Sequence, residues 1–289
     1  MTIQKEISRL LPPRKSNTQK GNYGRVFILA GSAGMSGACV LASQAAIRSG
    51  AGLVTAGVPK SILLPLSKRF TEVMMKPFPE TSSGTLSVKA SKPISDFLKT
   101  QNVLAVGPGL SGNPETQALV RKVATACKKP MVIDADGLNA LVGKVNLLSK
   151  LKAPAILTPH PGEFVRLFGG KIPKTETERT SRARLIAKKF KVILVLKGHR
   201  TVVASPSGDV FINPTGNPGM ATGGSGDVLT GVIAALLGQR LKPFDAARIG
   251  VYVHGLAGDL AKKKFGEISL QAGDLIDYLP KAFLRVARG

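Results

Sequence analysis

The chain has 289 residues, 43% hydrophobic and 20% charged, with 32 glycines and no tryptophan. That composition is too apolar for disorder and long enough for a sizeable core, and no apolar run approaches the ~20 residues that span a bilayer. Lys+Arg 41 against Asp+Glu 17 gives a net charge of +24, a field that attracts phosphate-bearing partners. The cations are scattered and not interleaved with aromatics, which disfavours a dedicated nucleic-acid binder. The N-terminal stretch is polar and basic with no secretory core, and Cys39 and Cys127 form no metal-ligand spacing. A reduced cytoplasmic protein is the expectation.

Residues 1–20 read as a basic, loosely held arm, and 21–289 as a single domain. Arg25–Gly31 (RVFILAG) predicts a buried strand, followed by a glycine turn and a helix over Gly37–Ser49. Leu53–Val58, Val73–Pro77, Val103–Val106, Met131–Asp134, Ala155–Thr158 and Val192–Leu196 are further strands. Helices fall at Glu115–Cys127, Glu163–Phe168 and Glu176–Lys189, the last opened by a capping box of Thr175 and Glu178. This alternation implies an α/β fold with a mostly parallel central sheet and helices on both faces. Thr201–Ala204 and Asp209–Asn213 flank a Pro-Ser-Gly turn and predict an antiparallel hairpin at the sheet edge. Helices over Asp227–Leu237, over Phe244–Lys263 and from Asp274 complete the chain.

Five polar or glycine-rich clusters follow strands: Gly31–Gly37, Gly107–Gly112, Asp134–Asn139, Thr158–Glu163 and Lys197–Thr201. Ligands of open α/β sheets lie outside the strands' carboxyl ends, so these loops imply one groove. The strongest signal is NPGMATGGSGD (Asn217–Asp227), which runs straight into an apolar helix. Glycines let the backbone approach a ligand, and the unpaired N–H groups of a first helical turn attract anions. Asp227, a carboxylate beside that anion site, suits a general base for phosphoryl transfer. In TPHPGE, His160 is a ligand candidate and Glu163 a Mg2+ or water ligand; the alternative is a plain helix start. Asp134 and Asp136 offer hard oxygens to Mg2+ or a ribose, or simply cap a helix. Lys197–Thr201 (KGHRT) supplies two cations for phosphate, with Lys197 expected to be dispensable to the fold. His254, within a predicted helix, is expected to pack in the core.

Taken in order, GSAGMSGACVLASQAAIRSGAGLVT (Gly31–Thr55), GPGL (Gly107–Leu110), DADGLNAL (Asp134–Leu141), TPHPGE, KGHRT and NPGMATGGSGDVLTG (Asn217–Gly231) resemble the ADP/ATP-dependent NAD(P)H-hydrate dehydratases of the ribokinase-like superfamily. The resemblance runs from about Gly21 to Pro280. It implies a ribokinase-like three-layer sandwich and a repair reaction: dehydration of the S epimer of hydrated NADH or NADPH, with ADP converted to AMP (or ATP to ADP). Carried over by position, Lys197, Gly198, His199, Arg200, Thr201 and Gly226 would hold the adenosine nucleotide. Ala38, Gly109, His160 and Asp227 would contact the hydrated dinucleotide, with Ala45 and Ala46 as alternatives to Ala38. Gly224, Ser225 and Gly226 would form the anion hole, Asp227 would be the catalytic base, and Glu163 would bind Mg2+ indirectly, through water. Gly137 departs from the family's pattern, where alanine is expected.

The resemblance further implies a separate NAD(P)H-hydrate epimerase as partner, since only about 24 residues precede the first strand, and a homo-oligomer, set down as a tetramer. A ribokinase-like kinase of a vitamin or sugar alcohol is the alternative enzyme. Against it, thiazole kinases usually carry cysteine at the Asp227 position, and His160 replaces the more common asparagine. A basic nucleic-acid-binding protein is the alternative of another class.

Overall fold

The computed structural model describes residues 2–11 and 13–288. The strands are β1 (Arg25–Leu29), β2 (Leu53–Pro59), β3 (Met74–Phe78), β4 (Val103–Val106), β5 (Met131–Ile133), β6 (Ala155–Leu157), β7 (Ile193–Leu196), β8 (Val202–Ala204) and β9 (Val210–Ile212). They form a nine-stranded sheet in the order β3-β2-β1-β4-β5-β6-β7-β8-β9. Pairing is parallel from β3 through β7 and antiparallel for β7–β8 and β8–β9. The mostly parallel sheet with its antiparallel edge is as the sequence predicts.

The long helices are α1 (Ile3–Leu10), α2 (Ser36–Arg48), α3 (Leu63–Ser67), α4 (Ser91–Leu98), α5 (Pro114–Ala126), α6 (Asp136–Asn139), α7 (Pro161–Phe168), α8 (Glu176–Phe190), α9 (Ser225–Gly238), α10 (Pro243–Phe265) and α11 (Ala272–Ala287), although α3 and α6 are a single turn each. Successive strand residues face opposite ways, and β1 shows the consequence. Val26 and Ile28 enter a core with α2, α9, α10 and α11, while Phe27 and Leu29 enter a second core with α4, α5, α7 and α8. Strands buried on both faces must be apolar throughout, which is why they read as unbroken hydrophobic runs.

Every element read from the sequence is present with its ends within two residues of those expected. At α8, the Thr175 hydroxyl accepts from Glu178 N–H at 3.1 Å and the Glu178 carboxylate accepts from Thr175 N–H at 3.3 Å, the expected capping box. Missed were α1, α3, α4 and α6. The first corrects the reading of a loose arm, of which residues 1 and 12 lie outside the described residues. Ile7 is wholly buried, the Gln4 side chain donates to the Arg285 carbonyl, and Glu6 pairs with Arg248. No helix among the described residues is long and apolar enough to cross a membrane.

Candidate active site

Four segments converge beyond the carboxyl ends of the central strands and line a cavity of about 840 Å3. Asp134 and Ala135 leave β5, His160 leaves β6, Lys197–Thr201 join β7 to β8, and Gly224–Asp227 enter α9. Ala135 takes φ +45° and ψ −119°, a backbone region that favours glycine; this strained residue turns the chain out of β5 into α6.

Asp134 anchors the floor. Its side chain is buried, with Oδ1 accepting from Lys197 Nζ at 2.8 Å and Oδ2 from Thr230 Oγ1 at 2.8 Å. Lys197 Nζ also lies 3.8 Å from Glu163 Oε2. A Cβ on Gly226 would stand 3.2 Å from Nζ, so the ammonium rests against the first turn of α9. Burial pulls the Lys197 ammonium downward, but Asp134, Glu163 and Asp227 together outweigh it and hold its pKa above the ordinary value. The lysine is therefore placed as a structural counter-ion as well as a candidate phosphate ligand.

Asp227 lies in the first turn of α9, where the helix dipole favours negative charge. Burial raises its pKa nevertheless, the Asp134 carboxylate adds to this, and Lys197 opposes it, leaving the group pushed up to about 7. Such a carboxyl exchanges its proton near neutrality, as a general base requires. Gly224, at φ +89°, is the residue before α9, and a Cβ there would fall 2.3 Å from Leu41 Cδ1. Only glycine lets the loop lie this close to α2.

His160 caps α7. Its Nδ1 accepts from the N–H groups of Gly162 at 3.0 Å and Glu163 at 3.4 Å, while Glu163 Oε2 accepts from His160 N–H at 2.8 Å. The exposed ring lines the cavity, so His160 serves the helix start and the cavity wall together. Glu163 is buried behind it, outside the lining. Among the described residues no group of three or more His, Cys, Asp or Glu can hold a metal ion directly. The hard oxygens present suit Mg2+ brought by a nucleotide and reached through water.

Ala38 and Gly109 meet each other: a Cβ on Gly109 would stand 3.0 Å from that of Ala38. They join beside the reversal of strand order between β1 and β4, outside the lining of the 840 Å3 cavity. Ala45 and Ala46, the alternatives, are wholly buried and so closed to any ligand. Asp136 neither faces the cavity nor caps a helix. Its carboxylate accepts from Ser111 N–H at 2.9 Å and from the Asn139 amide at 3.1 Å, tying the Gly107–Gly112 loop to α6. Gly137 also has a reason: a Cβ there would fall 2.6 Å from the Val106 carbonyl oxygen. His254 is buried as expected yet lines the cavity, donating from Nε2 to the Ser225 carbonyl at 3.0 Å. Burial drives its pKa down to about 4, so it is neutral at physiological pH.

Sequence reasoning missed Thr230, Asp259 and Arg179. Thr230 follows Asp227 by three residues, a helical spacing that puts both on one face and was available as a signal. Asp259 accepts from Gly216 N–H at 2.9 Å and the Asn217 amide at 3.0 Å, mooring the glycine loop to α10.

The family model described as NAD(P)H-hydrate dehydratase matches residues 26–281. The chain belongs to the NAD(P)H-hydrate dehydratase family. Among relatives within it, the bifunctional NAD(P)H-hydrate repair enzyme Nnr of Moorella thermoacetica is 49% identical over 270 residues, 93% of this chain and 51% of that one. The chain thus spans about half of that relative's length. The ADP-dependent (S)-NAD(P)H-hydrate dehydratase of Bacillus subtilis is 35% identical over 98% of this chain and 97% of its own. A crystal structure of the Bacillus subtilis ADP/ATP-dependent NAD(P)H-hydrate dehydratase, co-crystallised with ATP and Mg2+, superposes with a TM-score of 0.85 at 34% identity, covering 98% of this chain and 97% of that one. Arabidopsis thaliana ribokinase shares the fold alone, with a TM-score of 0.55 at 14% identity over 88% of this chain and 98% of its own. The dehydratase family therefore carries a ribokinase-like three-layer fold here, as expected.

Proposed function

We propose that this protein removes water from the S epimer of hydrated NADH or NADPH, using the terminal phosphoryl group of ADP, or of ATP, to make hydroxide a leaving group. The observation that carries this reading is Asp227, poised near neutrality in the first turn of α9, in one cavity with the Lys197–Thr201 turn. The family membership and the ADP-dependent relatives support the choice of substrate.

The adenosine nucleotide lies over Lys197, Gly198, His199, Arg200, Thr201 and Gly226. The hydrated nicotinamide lies between His160 and Asp227, with the rest of the dinucleotide toward Ala38 and Gly109. Asp227 takes the proton of the C6 hydroxyl as the oxygen bonds to the terminal phosphorus and AMP leaves. The N–H groups of Gly224, Ser225 and Gly226 face the charge that develops on the phosphoryl oxygens. Phosphate then departs from C6 as the ring nitrogen pushes electrons in, and loss of the C5 proton restores the double bond. Glu163, through water, and the nucleotide's own phosphates would hold Mg2+, which would supply charge neutralisation.

An epimerase activity that interconverts the two hydrates would feed this enzyme. Incubation with hydrated NADH, Mg2+ and ADP or ATP, followed by dihydronicotinamide absorbance and AMP release, tests the reading. A stable phosphate ester with no recovered absorbance would instead establish the kinase alternative.

A further inference from the structure

The turn assigned to the nucleotide holds itself by one internal bond, from the Thr201 hydroxyl to the Gly198 carbonyl at 2.9 Å. Gly198 takes φ +134° and Arg200 φ +51°, so two of its residues sit in left-handed backbone. Among the described residues no acceptor meets the backbone N–H groups of Gly198, His199 or Arg200. Two of its carbonyl oxygens, those of Lys197 and His199, gather with that of Leu196 on one side chain from another element. Arg179, in the first turn of α8, donates from Nη2 to the carbonyls of Leu196 at 3.1 Å and Lys197 at 3.3 Å, and from Nη1 to that of His199. Its Nε is buried without a partner, so the guanidinium is committed to these carbonyls alone. A Cβ on Gly198 would stand 3.2 Å from Nη2, so glycine admits the arginine beneath the turn.

The geometry of the peptide unit gives this arrangement a consequence. A trans peptide directs its C=O and N–H to opposite sides. With the carbonyls of Lys197 and His199 held on the guanidinium, the N–H groups of Gly198 and Arg200 are turned away from it. Successive amides presented in this way form a concavity for anions. We propose that Arg179 is a positioning residue for nucleotide binding: it holds the Lys197 and His199 carbonyls and thereby presents the Gly198 and Arg200 N–H groups to a nucleotide phosphate. Arg179 is absent from the cavity lining and acts only through the turn. A planar fork with several donors suits the task, which one ammonium cannot reproduce. This inference rests on the nucleotide reading of the turn.

The test compares wild type, Arg179→Met and Arg179→Lys. ADP affinity is measured by calorimetry, kcat and KM are measured for ADP and for hydrated NADH, and folding is followed by thermal melts. The expected result for Arg179→Met is at least a tenfold loss of ADP affinity and the same rise in KM for ADP, with kcat and KM for hydrated NADH within about threefold of wild type. Arg179→Lys, which keeps the charge without the fork, should recover only part of the affinity and secures the comparison should the methionine variant fold poorly. Unchanged ADP affinity in a folded variant overturns the role of Arg179 while leaving the nucleotide site standing. So does a parallel fall of kcat and both affinities that tracks melting temperature. Wild-type protein that binds no ADP overturns the nucleotide site itself and this role with it.

Discussion

Two opposing influences act on the proton of Asp227: burial and the Asp134 carboxylate hold it on, the Lys197 ammonium pulls it off, and the balance stands at about 7. If the carboxylate is the working base, kcat/KM should rise with pH through about 7 and level off above it. The same shift has a stability consequence of fixed sign. A folded pKa above the ordinary value near 4 means that the native state gains from the proton at low pH and loses that gain as pH climbs toward 7. Asp227→Asn carries no such dependence, so by urea unfolding it should be more stable than wild type at pH 8, on the order of 4 kcal/mol, and nearly equal at pH 4. Its ADP affinity should survive or improve, because a negative charge near the phosphates is gone, while turnover falls at least ~10²-fold. Near-normal turnover in this variant would sink the catalytic assignment. His160 separates in the same manner, since asparagine caps helices well and alanine does not. His160→Asn should keep wild-type stability, His160→Ala should lose about 1 kcal/mol, and both should raise KM for hydrated dinucleotide. A normal KM in His160→Asn would reduce the histidine to a cap.

The floor of the cavity joins elements distant in the chain: β5 through Asp134, β7 through Lys197 and α9 through Thr230. Removing one member of a buried charge pair strands the other, whereas removing both leaves little to compensate. Lys197→Met should therefore cost about 3–5 kcal/mol in denaturant unfolding, and Lys197→Met with Asp134→Asn should recover most of it. Equal losses in the single and double variants would mean that the loss does not come from stranding Asp134. The sequence made much of this site legible, because each cluster follows a strand that reads plainly as buried. TPHPGE, KGHRT and GGSGD could be put on one sheet edge from that fact alone. What it could not carry was which partners the charges choose. The Lys197–Asp134 contact spans 63 positions, and Arg179 reaches its turn by packing of α8 against the sheet. Nor did the glycines announce their purpose. Gly137 looks like a departure in the sequence and is a steric requirement in the fold, set by the Val106 carbonyl.

Over the whole molecule, the mostly parallel sheet covered on both faces was legible because strands of a doubly covered sheet must be apolar along their length, whereas the order of its strands was not. The α1 helix was not, since eight mostly polar residues give too short a periodic pattern to distinguish from a tail. Its single wholly buried residue, Ile7, ties the start of the chain to α10 and α11. The charge of +24 acts at this same scale. Five of the 41 lysine and arginine side chains, those of Lys99, Lys197, Arg200, Arg248 and Lys262, form ion pairs among the described residues, so most of the positive charge is left to repel itself. Repulsion between exposed charges acts over the Debye length, which shrinks from about 30 Å at 10 mM salt to about 8 Å at 150 mM. Added salt should accordingly raise the melting temperature over that range, opposite to a protein held together by surface ion pairs. Attraction to random DNA rests on the same unpaired field and should collapse over the same range, since releasing condensed counterions gains less entropy as bulk salt rises. ADP affinity should decline far less, because directed hydrogen bonds from the Lys197–Thr201 turn persist when the long-range field is screened. Thermal melts, DNA binding and ADP calorimetry on one salt series therefore separate the field from the site. DNA affinity that holds at 150 mM while ADP affinity vanishes would favour the nucleic-acid reading of the charge over the enzymatic one.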